Sequence, residues 1–178
     1  MTPGATAGTV DGMSLEKIGA LIDALRHERY RWTPVRCVYS EKKHSTKKRP
    51  PGVPSWSDKL LQEVLRLILE AYYEPQFSDR SHGFRPGRGC HTALQEVTQH
   101  WRGTTWFVEG DLCAFFDRID HTVLVTILRE KRHDNRFLRR IDTVLQAGYW
   151  EEWRSHATLS GSPQGSILTP PTIVQKGR

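Results

Sequence analysis

Cysteine is scarce in this chain. Cys37, Cys90 and Cys113 are the three among 178 residues, and they lie far apart. No two form a Cys-x-x-Cys pair, so neither a disulfide framework nor a zinc knuckle is indicated. Long apolar runs are missing too: no stretch approaches the ~20 residues that a membrane helix needs. Met1 to Gly12 has no basic region followed by an apolar run, so no secretory signal is visible. A Gly-x-x-x-x-Gly-Lys-Ser/Thr phosphate loop is absent, as are internal repeats. These absences lead us to expect a cytoplasmic protein with no membrane partner.

What is present is ordinary globular composition with a basic excess. Hydrophobic residues make up 37% and charged residues 26%, which suits a folded domain or part of a larger one. The net charge of +6 fits a polyanionic partner or simply a basic surface.

Periodicity places the helices. Ser14 reads as an N-cap for a helix to about Arg29, with Leu15, Ile18, Leu21, Ile22 and Leu25 laid on a core. Arg26, His27, Arg29 and Arg31 at its far side and end face either phosphates or solvent. Ser57 and Asp58 open a second helix with a stripe of Leu61, Val64, Leu65, Ile68 and Tyr72. Leu60, Leu67 and Leu69 widen that stripe, which implies packing on more than one side, and Glu74-Pro75 ends it. A third helix carries Leu94, Val97 and Trp101. Asp120 caps a fourth with Val123, Leu124, Ile127 and Leu128. Asp134 caps a fifth with Phe137, Leu138, Ile141, Val144 and Leu145, closed by Gly148.

Between the helices lie four stretches able to carry chemistry. Val35 to Tyr39 alternates like a strand and runs into Lys42, Lys43, His44, Lys47, Lys48 and Arg49, before prolines and a short strand reaching Val53. This basic run reads as a hairpin tip, suited to a triphosphate or a nucleic-acid backbone or else simply solvated. Ser81 to Gly89 is a loop of glycine, proline and arginine, suited to a template phosphate or to a structural turn. Trp106-Phe107-Val108 has strand composition and delivers Asp111, either as a divalent-cation ligand or as a turn cap. Gly161-Ser162-Pro163-Gln164-Gly165 is a tight turn presenting a glutamine.

Taken in order, these stretches resemble the reverse transcriptases encoded by group II introns, also called maturases. The resemblance rests on Lys47-Lys48-Arg49-Pro50-Pro51-Gly52-Val53-Pro54 with Trp56 and Asp58-Lys59. It continues through Ser81-His82-Gly83-Phe84-Arg85-Pro86-Gly87-Arg88, Glu109-Gly110-Asp111 to Ile119-Asp120-His121, and the Pro163-Gln164-Gly165 turn. It implies an α+β fold: helix-rich fingers and the incomplete palm of a right-hand polymerase. The expected division is a lead-in over 1–12, fingers over 13–105, partial palm over 106–170 and a divergent tail over 171–178.

The resemblance also implies roles. Asp111 would be the catalytic palm carboxylate binding Mg2+, with the backbone carbonyl of Leu112 in the same shell. Phe116, beside Phe115, would gate the sugar, and Gln164 would line the nucleotide pocket. Lys48 and Arg49 would hold the triphosphate. Lys42, Lys43, Lys47, Arg85 and Arg88 would meet nucleic acid, Arg85 and Arg88 by supporting the template or the fingers. Asp117, Asp120 and His121 would cap and hydrogen-bond. The implied partners are an RNA template or intron RNA, a DNA primer and a deoxynucleoside triphosphate, and the implied reaction is two-metal nucleotidyl transfer.

Several features depart from the family pattern. It continues to a Tyr-x-Asp-Asp loop, and this chain contains no Asp-Asp dipeptide. Ser166 stands where a second glycine is usual, and Tyr39 to Ser45 departs from the family's Tyr-Ile-Pro-Lys. We therefore expect a fragment that does not polymerise alone, with an RNA-binding, maturase-like role as the alternative.

Overall fold

The computed structural model describes residues 12–37, 40–41, 48–49, 52–111, 118–131, 133–151 and 154–156. Helix α1, Leu15–Arg26, begins where the Ser14 hydroxyl accepts from the Lys17 amide at 3.3 Å. It stops three residues short of the expected end. It also buries none of its residues: Leu15 is 87% exposed and Ile22 47%. The expected core-facing stripe is thus at most a half-buried seam of Ile18, Leu21 and Leu25.

Three helices carry the core. α2, Trp56–Tyr73, is capped by Ser55, two residues earlier than expected. Its buried face is Leu61, Leu65, Leu69 and Tyr73, one row at i+4 spacing. Leu60, Val64, Leu67 and Ile68 are exposed, so α2 is packed on one face rather than several. α4, His121–Lys131, adds Leu124 and Leu128, and α5, Asn135–Leu145, adds Leu138, Ile141 and Leu145. Ile119 completes the cluster, and Trp32 and Phe77 pack against it. Asp120 accepts from the Thr122 and Val123 amides at 2.8 and 3.1 Å, and Asp134 accepts from those of Arg136 and Phe137. Both therefore act as the expected caps. Val123, read as part of the α4 stripe, is 43% exposed. The core crosses residue 105: α2 packs in one cluster with α4 and α5.

A four-stranded sheet has the order β4-β1-β5-β6. β1, Val35–Cys37, pairs antiparallel with β4, Gly52–Val53, and parallel with β5, Tyr149–Glu151. β5 turns back into β6, Arg154–His156. A separate ladder joins β2, Ser40–Glu41, to β3, Lys48–Arg49. α3, Cys90–His100, has no buried residue, and Leu94 and Trp101 are 62% and 44% exposed. It is the least embedded of the helices that follow α1.

Asp58, in the first turn of α2, is 1% exposed and gathers the loop before it. It accepts from the Tyr30 hydroxyl at 2.6 Å, the Ser55 hydroxyl at 2.6 Å and the Thr33 amide at 3.3 Å. Burial, then the bond to Asp58, pushes the Tyr30 phenol well above its ordinary range.

Trp106 to Val108 does not form the expected strand. The segment is irregular, and Trp106, Phe107 and Val108 are 88%, 67% and 94% exposed. β-composition is a preference for a pleated surface that neighbours complete. No ladder pairs with this segment among the described residues.

Candidate active site

The glycine-arginine loop is built from its own side chains. A 3-10 turn, Glu74–Gln76, ends α2 at the expected Glu74-Pro75 and presents the Glu74 carboxylate. Arg85 reaches it with Nε at 3.0 Å and Nη2 at 2.8 Å, while Nη1 donates to the carbonyls of Ser78 at 2.7 Å and Ser81 at 2.9 Å. Its guanidinium also lies 5.3 Å from the centre of the Phe77 ring. With its side chain 5% exposed, Arg85 faces into the protein. In this position Arg85 ties the loop to the end of α2.

Arg88 remains nearer the surface, its side chain 28% exposed, and pairs with Asp79. His82 bridges the loop to α3, with Nδ1 2.9 Å from the Thr92 hydroxyl and Nε2 3.2 Å from Glu96. Thr92 in turn donates to the Gly89 carbonyl and accepts from its amide. At the loop tip Phe84 holds the left-handed region (φ 55) and is 74% exposed. Gly87 is also left-handed (φ 67), where a side chain would be strained.

Asp111 lies in the irregular stretch that follows residue 103 and is exposed. Leu112, Phe115, Phe116 and Asp117 fall outside the described residues, as do Lys42, Lys43, Lys47 and Gln164. Lys48 and Arg49 sit on β3, where their backbone pairs with Glu41 and Ser40. The β2–β3 ladder thus brackets residues 42–47, the place expected for a basic hairpin tip. His121 is buried at the start of α4, consistent with structural work.

The profile of the reverse transcriptase (RNA-dependent DNA polymerase) family matches residues 41–175. The chain belongs to the reverse transcriptase family. It is 48% identical over 169 residues to the group II intron-encoded protein LtrA of Lactococcus lactis subsp. cremoris, covering 95% of this chain and 28% of that protein. It is 46% identical over 170 residues to an uncharacterized 91 kDa protein in the cob intron of Schizosaccharomyces pombe, covering 96% and 21%. The chain thus spans about a quarter of the length of these relatives. Among solved structures it is similar to a chain of a partial Cas6-RT-Cas1–Cas2 complex, with a TM-score of 0.60 and 21% identity. That match covers 96% of this chain and 29% of the other, and it supports the reverse transcriptase fold.

Reverse transcriptases generally use Mg2+. Octahedral Mg2+ is held by more than one hard oxygen donor. Among the described residues no three His, Cys, Asp or Glu side chains come together as a metal site. The described residues alone do not fit a two-metal centre, and no metal-dependent step follows from them.

Sequence reading missed the acids that organise the arginines. Glu74 was read only as a helix end, and Glu28 was passed over. The signal for Glu74 was present, since a carboxylate closing a helix just before an arginine-rich loop is a ready partner. Glu28 pairs with Arg136 and Arg139, over a hundred residues away, and no local pattern reports that.

Proposed function

We propose that this chain forms the fingers and the first part of the palm of an RNA-directed DNA polymerase of the group II intron kind. The basic hairpin holds the triphosphate and the template backbone. Asp111 is one of several carboxylates that bind Mg2+, the others coming from outside this sequence. The observation that carries the reading is the family match over 41–175, which contains the motifs in family order. The lack of an Asp-Asp dipeptide supports inactivity of the chain by itself. Two Mg2+ ions repel each other, and one carboxylate cannot offset that.

The test uses the purified chain with a DNA primer on an RNA template, deoxynucleoside triphosphates and Mg2+. No extension is expected, together with salt-sensitive RNA binding. Extension by the chain alone overturns the inactivity, and failure to bind RNA overturns the nucleic-acid reading.

The second reading is an RNA-binding, maturase-like role without catalysis. The basic net charge favours it, as does the fact that no metal-ligating cluster forms around Asp111 among the described residues. Asp111→Ala then leaves RNA affinity unchanged, whereas replacing Lys47, Lys48 and Arg49 together lowers it.

A further inference from the structure

Two exposed arginines on α5 converge on a single oxygen. Arg136 Nε lies 3.1 Å and Arg139 Nη2 2.9 Å from Glu28 Oε1. Glu28 sits just past the end of α1 in the left-handed region (φ 56), which turns its side chain towards α5. The pair is more than half exposed, at 63% and 59% of the arginine side chains. Two neighbouring contacts do different work: Arg136 Nη2 and Arg140 Nη2 donate to the Arg26 and Leu25 carbonyls at 2.7 and 3.0 Å. Those bonds tie the end of α1 to α5, with the Leu25 carbonyl also accepting from the Glu28 amide at 3.2 Å.

We propose that Arg136 and Arg139 form a phosphodiester-binding site for single-stranded RNA, which Glu28 occupies in the free protein. Resting on the nucleic-acid reading above, the inference adds a site on α5, between the motif that ends at His121 and the Pro163-Gln164-Gly165 turn. The carboxylate gives both guanidiniums the same oxygen. A phosphodiester offers each its own non-bridging oxygen, the arrangement guanidinium forks favour. Exposed ion pairs contribute little to stability, so exchanging one acceptor for another is easy. α1 stays attached during the exchange, because the carbonyl contacts of Arg136 and Arg140 do not involve Glu28.

Arg139→Gln is the primary variant, because Glu28 is the acceptor of its inter-helix bond and the pins on α1 remain. Binding of a short fluorescent single-stranded RNA is followed by anisotropy across a salt series, with circular dichroism confirming the fold. The Arg139 variant should bind several-fold more weakly, and Arg136→Gln with Arg139→Gln about tenfold more weakly, with a salt slope shallower by ~0.7. Glu28→Gln should bind about threefold more tightly by removing the competing charge. Unchanged affinity in the arginine variants, or no gain in Glu28→Gln, overturns the site. If replacing Lys42, Lys43 and Lys47 weakens binding while the arginine variants do not, the site fails and the nucleic-acid reading stands. If the unmodified chain shows no salt-sensitive binding at all, both fail.

Discussion

Asp58 and Arg85 are buried charged side chains whose surroundings define their work. Asp58 receives three hydrogen bonds from the loop before α2, and its removal leaves buried donors without an acceptor. Asp58→Ala should therefore cost ~3 kcal/mol of unfolding free energy, read from the urea midpoint. Arg85→Ala should cost ~2 kcal/mol, less because Glu74 is partly exposed to water. Arg85→Lys should restore little of it, since one ammonium cannot reach Glu74 and both carbonyls with a fork's geometry. Tyr30 predicts behaviour at high pH. Its folded pKa is raised above the ordinary value of 10.0, so its contribution is complete below pH 10 and declines as the pH rises further. Denaturation monitored between pH 9 and 11 should show falling stability in the wild type and a flatter profile in Tyr30→Phe. Glu28 works the opposite way. The hydrogen bond from Arg139 leads the causes that hold its carboxyl below 4.5, so its ion pairs with α5 are intact above that pH and loosen as acid protonates it.

At the scale of elements, helix identity was legible, and so was the facing of α5, but the facing of α1 and α2 was not. Ser14, Asp120 and Asp134 marked three starts correctly because a cap is a local hydrogen bond. The facing of α2 was misread because apolar residues lie all round it, and only the tertiary arrangement selects the row Leu61, Leu65, Leu69 and Tyr73. Truncation tests this choice. Leu69→Ala should cost ~3 kcal/mol and Leu67→Ala within ~0.5 kcal/mol, by chemical denaturation. Equal costs at the two positions would contradict the observed face. Trp106 to Val108 was misread for a related reason: strand propensity reports what a segment does once a neighbour completes the sheet. Its exposed aromatic and β-branched residues make it an aggregation hazard. Trp106→Lys should raise the solubility limit while shifting the unfolding midpoint little.

Across the whole molecule, the family was legible because its motifs are contiguous in sequence. The closing of the core was not, since α2 meets α4 and α5 across more than forty intervening residues. The candidate site divides the same way. The motif residues are local in sequence, but the inward turn of Arg85 to Glu74 is a property of packing rather than spelling. The sheet shows the same dependence on distance, and it bears on how the protein is made. β1 has one partner close by in sequence, β4, and a parallel partner, β5, that follows much later. Val35 and Tyr149 are separated by roughly 110 residues, so at ~5–20 residues per second a ribosome needs on the order of ten seconds between them. During that interval the β1–β4 hairpin can form while the edge awaiting β5 stays open. A nascent chain paused within α4 therefore presents a strand edge to chaperones or to other nascent chains, and synonymous codons that slow translation there should lower the soluble yield without changing a single residue.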